Sequence, residues 1–572
     1  MKFISLLTIF ILVFSVLGLG NISSSATDSI SFFVLPTYDI NSRSQLQAIL
    51  ENTSANAYFY IEESYWLKQS DQRKAELEAG VVNLASEFDS KIHPKLRELF
   101  GSEWKPGIDG DNKITVFLTE LKPEVNGYFR KLDEFSRSEI AVSNQREMVY
   151  INVLGFSNGL ASAYLAHEFS HLVTYYQKEK LRGVKEDVWL EEAMAEYAPT
   201  AAGLNDVYQG SYLQNRVNDF LNSPIESLTE WNGTKYDFAS VSLFIHFLTD
   251  HYGTGILTKI IQNDKIGIEA VSQALKDLGR IADFSEVFTN WTIANYINNA
   301  TSDYDRKYSY LNSSLSYARF HIPALLTYKI FPTTEMNLGL SSRDWSVKWY
   351  KFIPGDLGAV SSKDTLKIGF KSIDQNYNFK LPYIITDKFG EIKIKSAVLD
   401  ANGTATIYIP NFGRDAISVV IIPSSQLKLK DFSVSDPSYG FLITSSIVEN
   451  VNANYPEGSI IRADRDYRVY IVKEKYKRWI QSGEIFDFYG HLSWDKIINV
   501  IQEEINFYED AWLVRAQGDF KVYELNGDGT KHWLNMTAQQ FEMSGRKWNM
   551  IYEINFKELD WYRLGADVMF VS

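Results

Sequence analysis

Two histidines four residues apart, with a glutamate beside the first, form the stretch of this chain best equipped for chemistry: His167-Glu168-Phe169-Ser170-His171. On a helix, residues at that spacing share a face, so both imidazoles can turn a ring nitrogen toward one ion. Zinc bound for catalysis usually takes three protein ligands and keeps its fourth position for water, so a third ligand must come from elsewhere. Glu192, in Trp189-Leu190-Glu191-Glu192-Ala193-Met194-Ala195-Glu196-Tyr197, is the candidate. That segment reads as a second helix, and the loop around Gly183 is long enough to swing it back toward the first. Glu196 lies one turn further along the same face, placed to accept the free N–H of a ligand histidine and fix its tautomer. Glu168 sits between the two histidines, where a carboxylate can take a proton from the activated water and later return it to a leaving amine. The chemistry would be hydrolysis of an amide.

An HExxH pentapeptide also arises by chance on surface helices, and a glutamate such as Glu196 is commonly just part of a solvated face. The acid-bearing second helix at a workable distance separates this chain from such accidents.

The run from Ala166 to Lys178, together with Trp189 to Tyr197, resembles the gluzincins, zinc peptidases whose third ligand is a glutamate. Among these it is most similar to the hyicolysin-type neutral metallopeptidases, over about residues 145 to 255. Carried over by position, the resemblance implies Zn2+ on His167, His171 and Glu192, with Glu168 as general base. Lys235-Tyr236-Asp237-Phe238-Ala239-Ser240 resembles the segment that carries a catalytic tyrosine in aminopeptidase N-type relatives, which would make Tyr236 the oxyanion donor. The glycine those relatives carry near the position of Phe238 or Ala239 is missing here, and with 34 tyrosines in the chain a packing role competes. His246 and His251 are rival donors, although His251, before Tyr252-Gly253, reads as a histidine complementing a helix C-terminus.

The elements that must position these residues can be taken in order. Met1-Lys2-Phe3, an apolar run from Ile4 to Gly20 and the small polar stretch to Ala26 describe a secretory signal peptide over residues 1–26. An uncleaved membrane anchor is the rival, its apolar run being at the lower limit for spanning a bilayer. With no cysteine there is neither a lipid-anchored amino terminus nor a disulfide framework. Helical spacing runs from Ser42 to Phe100, followed by strands at Ile114–Thr119 and Met148–Val153 with a turn at Asn126–Phe129 between them. Residues 147–153 are expected to form the sheet edge that pairs with an extended peptide. Asp109-Gly110-Asp111-Asn112 lacks the further acidic positions of an EF-hand loop and reads as a turn. Helical periodicity then continues from about Val207 to Phe320, which closes a metallopeptidase domain of residues 30–330.

Beyond it the period switches to two, and runs such as Trp345–Phe352, Thr365–Phe370 and Thr404–Ile409 predict a β-sandwich over 335–430. The last third holds an internal repeat of about 54 residues. Asp466 to Tyr470, Trp479 and Phe486-to-Trp494 recur as Asp519 to Tyr523, Trp533 and Phe541-to-Trp548. Two tandem α/β repeats, 458–510 and 511–565, follow. Trp479 and Trp533 read as equivalent core residues. The fold class is thus α+β: a gluzincin-like peptidase domain, a β-sandwich and two repeats.

A formal net charge of −14 argues against nucleic acid or an anionic membrane surface as partner, with a membrane relevant only if the first segment is uncleaved. Protein or peptide is the expected substrate, and a cell-surface polymer is a candidate partner of the repeats. An endopeptidase is favoured over an aminopeptidase because no Gly-x-Met-Glu-Asn-like stretch precedes the zinc helix. The expectation is a secreted zinc endopeptidase, extracellular or held at the cell surface. The alternative is an inactive surface protein that keeps the peptidase domain as scaffold, and the presence of Glu168 speaks against it.

Overall fold

A computed structural model describes residues 29–570 apart from 300–305, 318, 325, 332, 334, 356–362, 450–454, 464–465 and 501. The segment 1–26, read as a signal peptide, lies outside the described residues. Among those described, no helix is long and apolar enough to cross a membrane.

The chain begins with a six-stranded sheet of β1 (Ile30–Phe33), β2 (Gln45–Thr53), β3 (Ala57–Glu62), β4 (Ile114–Thr119), β5 (Gly127–Phe129) and β6 (Met148–Asn152), in the order β1-β2-β3-β4-β6-β5, so the helical reading that began at Ser42 is corrected for β2 and β3, which pair as an antiparallel hairpin. The pairs β3–β4 and β4–β6 are parallel and β5 runs antiparallel to β6. Every residue of β4 and β6 is buried, as expected of parallel strands covered on both faces. On one face Phe59, Val116 and Ile151 pack with Leu77 and Val81 of α1 (Asp71–Glu87) and Phe169 of α2 (Ala161–Thr174). On the other, Phe32, Phe117, Tyr128 and Tyr150 form a separate aromatic cluster.

The sequence reading placed the sheet edge at 147–153, and this is corrected: Met148–Asn152 is interior, and the edge is the short β5. The stretch around residue 126, read as a turn, supplies that edge. Three residues carry too little alternation to announce a strand; pairing with β6 makes them one.

The helical unit follows with α3 (Val188–Ala201), α4 (Tyr212–Asn222), α5 (Lys235–Tyr252) and α6 (Phe284–Ile297). A capping box of Thr234 with Asp237 starts α5, so Tyr236 falls in its first turn. The β-rich part that comes next is two facing sheets. One has the order Thr404–Ile409, Lys363–Ser372, Tyr439–Glu449, Glu335–Ser342. The other has the order Ile392–Ala397, Phe379–Asp387, Ala416–Ile421, Tyr350–Pro354, Leu326–Ile330. Leu366, Phe370, Phe379, Val419 and Phe441 share their core.

These strands run past both expected bounds of 335 and 430, because Leu326–Ile330 pairs with Tyr350–Pro354 and Tyr439–Glu449 pairs with Lys363–Ser372. Of the run read as a strand from Trp345 to Phe352, only the part from Tyr350 is one. Trp345 and Trp349 instead enter the core of the helical unit: the Trp345 ring lies 4.8 Å from that of Phe284, and the Trp349 indole donates to Thr292 O at 3.0 Å. Burying two indoles outweighs continuing the ladder.

Two further sheets end the chain, with the orders Ile497–Val500, Ile460–Ala463, Val469–Lys473, Tyr476–Ile480, Glu509–Asp510 and Tyr552–Ile554, Leu513–Ala516, Val522–Leu525, Thr530–Asn535, Arg563–Leu564. In each, the central three strands are antiparallel and the two outer ones join in parallel. Residues of both sheets, among them Ile460, Tyr476, Val514 and Tyr552, meet in one apolar cluster.

Candidate metal centre

Helix α2 is buried at every position but one, which is why a His–Glu–x–x–His stretch can lie inside the molecule. Helix α3 packs across it. One ligand atom each of His167, His171 and Glu192 lies within 4.8 Å of the others. His167 Nε2 and His171 Nε2 are 3.2 Å apart, and Glu192 Oε2 is 3.3 Å from the first and 3.4 Å from the second. The two histidines are only 6% and 8% exposed. Glu192 Oε2 is buried without a hydrogen-bond donor of its own. Burial alone would raise the Glu192 carboxyl, but the two imidazoles, His171 foremost, hold it well below the usual carboxylate range. Two imidazole nitrogens and a carboxylate oxygen converging on one point form the donor set that zinc takes, so the residues present fit that ion.

Each histidine also has a carboxylate behind it. His171 Nδ1 lies 3.2 Å from Glu191 Oε1, and His167 Nδ1 lies 3.5 Å from Glu196 Oε1. Glu196 is buried and ionically matched: Arg216 of α4 donates to its two oxygens at 2.9 and 2.8 Å, and the Tyr212 hydroxyl donates at 2.7 Å. Arg216 also donates to the Tyr212 oxygen at 2.6 Å. A bidentate guanidinium satisfies both oxygens of a buried carboxylate.

Glu168 is 6% exposed and faces the sheet edge. Burial raises its pKa, opposed by His167 and His171, and the Phe129 amide donates to it. Gly127 makes the approach possible: a Cβ there would stand 2.8 Å from Glu168 Cγ and 2.7 Å from Tyr150 O. Glu168 and the edge strand are therefore in direct contact.

Thus the structure brings together His167, Glu168, His171, Glu192 and Glu196. Tyr236 is half-buried on the first turn of α5, its recorded contact being the Lys235 ammonium 5.2 Å from its ring. The residue of that turn next to the cluster is Phe238, its ring 6.3 Å from that of His167. His246 is held by Thr200 Oγ1 and by Ser242 O, and burial pushes its pKa down to about 4. His251, in the last turn of α5, bonds Ser309 O at 2.9 Å. Sequence reasoning missed Glu191, Tyr212, Arg216 and Gly127. The i,i+4 pair Tyr212 and Arg216 is visible as one helix face, but nothing in the sequence says that this face meets Glu196.

No family model matches the chain. Over 301 residues it is 24% identical to the neutral metalloprotease ShpI of Staphylococcus hyicus, an alignment covering 48% of this chain and 64% of that protein. Solved structures with partial likeness include a mitogen from Yersinia pseudotuberculosis, 6% identical with a TM-score of 0.14, covering 21% of this chain and 90% of that one. Another is the pre-peptidase C-terminal domain of a Bacillus anthracis collagenase, 8% identical with a TM-score of 0.14, covering 21% and 94%. Likenesses this weak bear on neither fold nor function. The conclusion at this point is a chain of mixed helices and sheets, related to a neutral metalloprotease, that carries a buried His–His–Glu group able to hold a metal ion.

Proposed function

We propose that the chain is a secreted zinc endopeptidase of the gluzincin kind that hydrolyses peptide bonds in protein substrates. The observation that carries this reading is the convergence of His167 Nε2, His171 Nε2 and Glu192 Oε2, with Glu168 beside them at a free sheet edge. Zinc on these three residues would supply Lewis acidity to a water and to the scissile carbonyl. Glu168 is the general base: its raised pKa suits a carboxylate that must accept a proton and return it to the leaving nitrogen. Glu191 bonds His171 Nδ1, and the Glu196 carboxylate stands 3.5 Å from His167 Nδ1, which places a negative charge behind each ligand imidazole. An extended substrate would add to the open edge of β5, where main-chain bonds bind without regard to side chains. Tyr236, in the first turn of α5, is the proposed oxyanion donor.

In the same reading, residues 30–330 are the catalytic unit, the β-sandwich supports it, and the repeats at 458–510 and 511–565 attach the enzyme to a surface polymer. The test is casein hydrolysis by purified protein, wild type beside Glu168→Gln, with bound zinc measured in both. About one zinc per chain in both samples and cleavage by wild type alone supports the reading. Zinc in both with cleavage of neither casein nor a broad peptide library leaves the scaffold alternative.

A further inference from the structure

Several residues that recur between the two C-terminal repeats are buried: Val469 and Val522, Tyr470 and Tyr523, Phe486 and Phe541, Tyr508 and Tyr562. Each copy needs its own core, so packing accounts for them. Trp494 and Trp548 recur as well, yet they are 57% and 47% exposed. A large ring kept in water at the same place in both copies calls for a different reason.

Both indoles are mounted in the same way. The Trp494 ring stacks on Phe486 at 4.4 Å with 9° between the planes, and the Trp548 ring stacks on Phe541 at 4.3 Å with 30°. Each phenyl is buried, so it covers the inner face of its indole and leaves the outer face to solvent. The Trp548 N–H donates to Glu542 Oε1 at 2.9 Å, which steadies that ring. A guanidinium also recurs at one register position between parallel strands: Arg462 donates to Asn499 Oδ1 at 3.2 and 2.9 Å, and Arg515 donates to Glu553 Oε1 at 2.7 Å. Arg515 Nε is buried without a partner. In the second repeat these parts meet in a cleft of about 500 Å³, lined by Trp548, Arg515, Glu553 and Tyr552 and closed by Glu457 and Lys473 of the first repeat. That volume is within the range of small-molecule sites.

We propose that the repeats bind a neutral polysaccharide, a sugar ring stacking on the outer face of Trp548 in the cleft and another on Trp494 in the first repeat. The negative face of an indole attracts the C–H face of a sugar ring, and planar groups such as the Arg515–Glu553 pair bond ring hydroxyls as donor and acceptor. Charge selects the neutral class. Lys473 already donates to Ile551 O at 2.9 Å and Arg515 to Glu553, so both cations of the cleft are engaged. Glu457 and Glu553 line it and Glu542 holds the indole, an arrangement that repels a polyanion. The inference rests on the reading of the repeats as the attachment module and gives that module its ligand; it requires neither zinc nor cleavage.

The experiment titrates the full chain with soluble glucan, mannan, galactan and N-acetylglucosamine oligomers, with polygalacturonate as the charged comparator. Binding is read by affinity electrophoresis, and tryptophan emission is followed with acrylamide as quencher. The expected result is saturable binding of at least one neutral glycan, with emission shifted and quenching reduced as the sugar covers the indoles. Replacing both rings, Trp494→Ala with Trp548→Ala, weakens binding by about tenfold or more, whereas Trp494→Tyr with Trp548→Tyr, which keeps a flat ring over each phenyl, retains most of it. The wild-type quenching needs no variant, so the test holds even if the alanine pair folds poorly. The proposal is overturned if no neutral glycan binds, if binding leaves quenching unchanged, or if the folded alanine pair binds as wild type does. It is equally overturned if the alanine pair keeps glycan binding and instead raises KM for casein, which would assign the rings to peptide. Binding of polygalacturonate alone removes this site but leaves attachment to a surface polymer standing, while binding of none of these glycans removes the site and counts against attachment. Neither binding readout uses cleavage, so the proposed peptidase is judged separately.

Discussion

The His–Glu cluster and the Glu134–Glu147 pair both adjoin the short edge strand β5 and treat buried acid differently. Around the cluster Glu191 lies against His171, Arg216 and Tyr212 donate to Glu196 and the Phe129 amide donates to Glu168, while Glu192 faces the two imidazoles with its Oε2 accepting no hydrogen bond. At the pair, Glu147 has main-chain N–H donors and Glu134 has none. Burying an ionised carboxylate costs several kcal/mol unless it is compensated, so a matched site is self-sufficient while a bare one is not. In the first site protein groups set the geometry before any ion arrives.

The sharpest test of the first half is Glu168→Gln, which should lower peptide cleavage by about a thousandfold while bound zinc, measured by atomic absorption, stays near the wild-type level. Next in size is Arg216→Met. It removes the guanidinium from the buried Glu196 and should cost about 3–5 kcal/mol in urea unfolding. If Arg216→Met unfolds like wild type, the matched character of the cluster is wrong. Glu196→Gln keeps the shape but removes the negative charge 3.5 Å from His167 Nδ1, and a competition titration should show zinc bound about 10- to 100-fold more weakly.

Gly127→Ala addresses the strand that both sites adjoin. The added methyl meets Glu168 and the Tyr150 carbonyl, so kcat should fall with zinc content unchanged, at a stability cost of about 1–3 kcal/mol. The smallest effect comes from Asp250, which accepts from the Leu311 and Asn312 amides and whose pKa burial raises to about 6. A raised folded-state value contributes stability in full below the ordinary 3.8, and that contribution is lost as pH rises to about 6. Asp250→Asn should therefore flatten the decline of melting temperature between those values. Persistence of the slope would assign it to another group and remove Asp250 as a yardstick for an acid with main-chain donors.

Local pattern was enough for what depends on spacing along one element. His167 and His171 at i and i+4, the turn-spaced Glu192 and Glu196 and the change from helical to alternating periodicity near residue 335 are all written in neighbouring residues. The matching of Asp466 to Tyr470 with Asp519 to Tyr523 is equally a property of the string. What the string could not contain is which faces meet. That β5 and not β6 is the edge, that Trp345 and Trp349 leave their strand for the helical core, and that Arg216 reaches Glu196 are decided by packing between segments distant in sequence. The same holds for Glu134, an unremarkable glutamate in a polar loop until the fold closes over it and leaves both oxygens dry. Sequence carries periodicity because side chains recur on one element; burial and charge pairing belong to the assembled chain, since each depends on what another element brings to the same place.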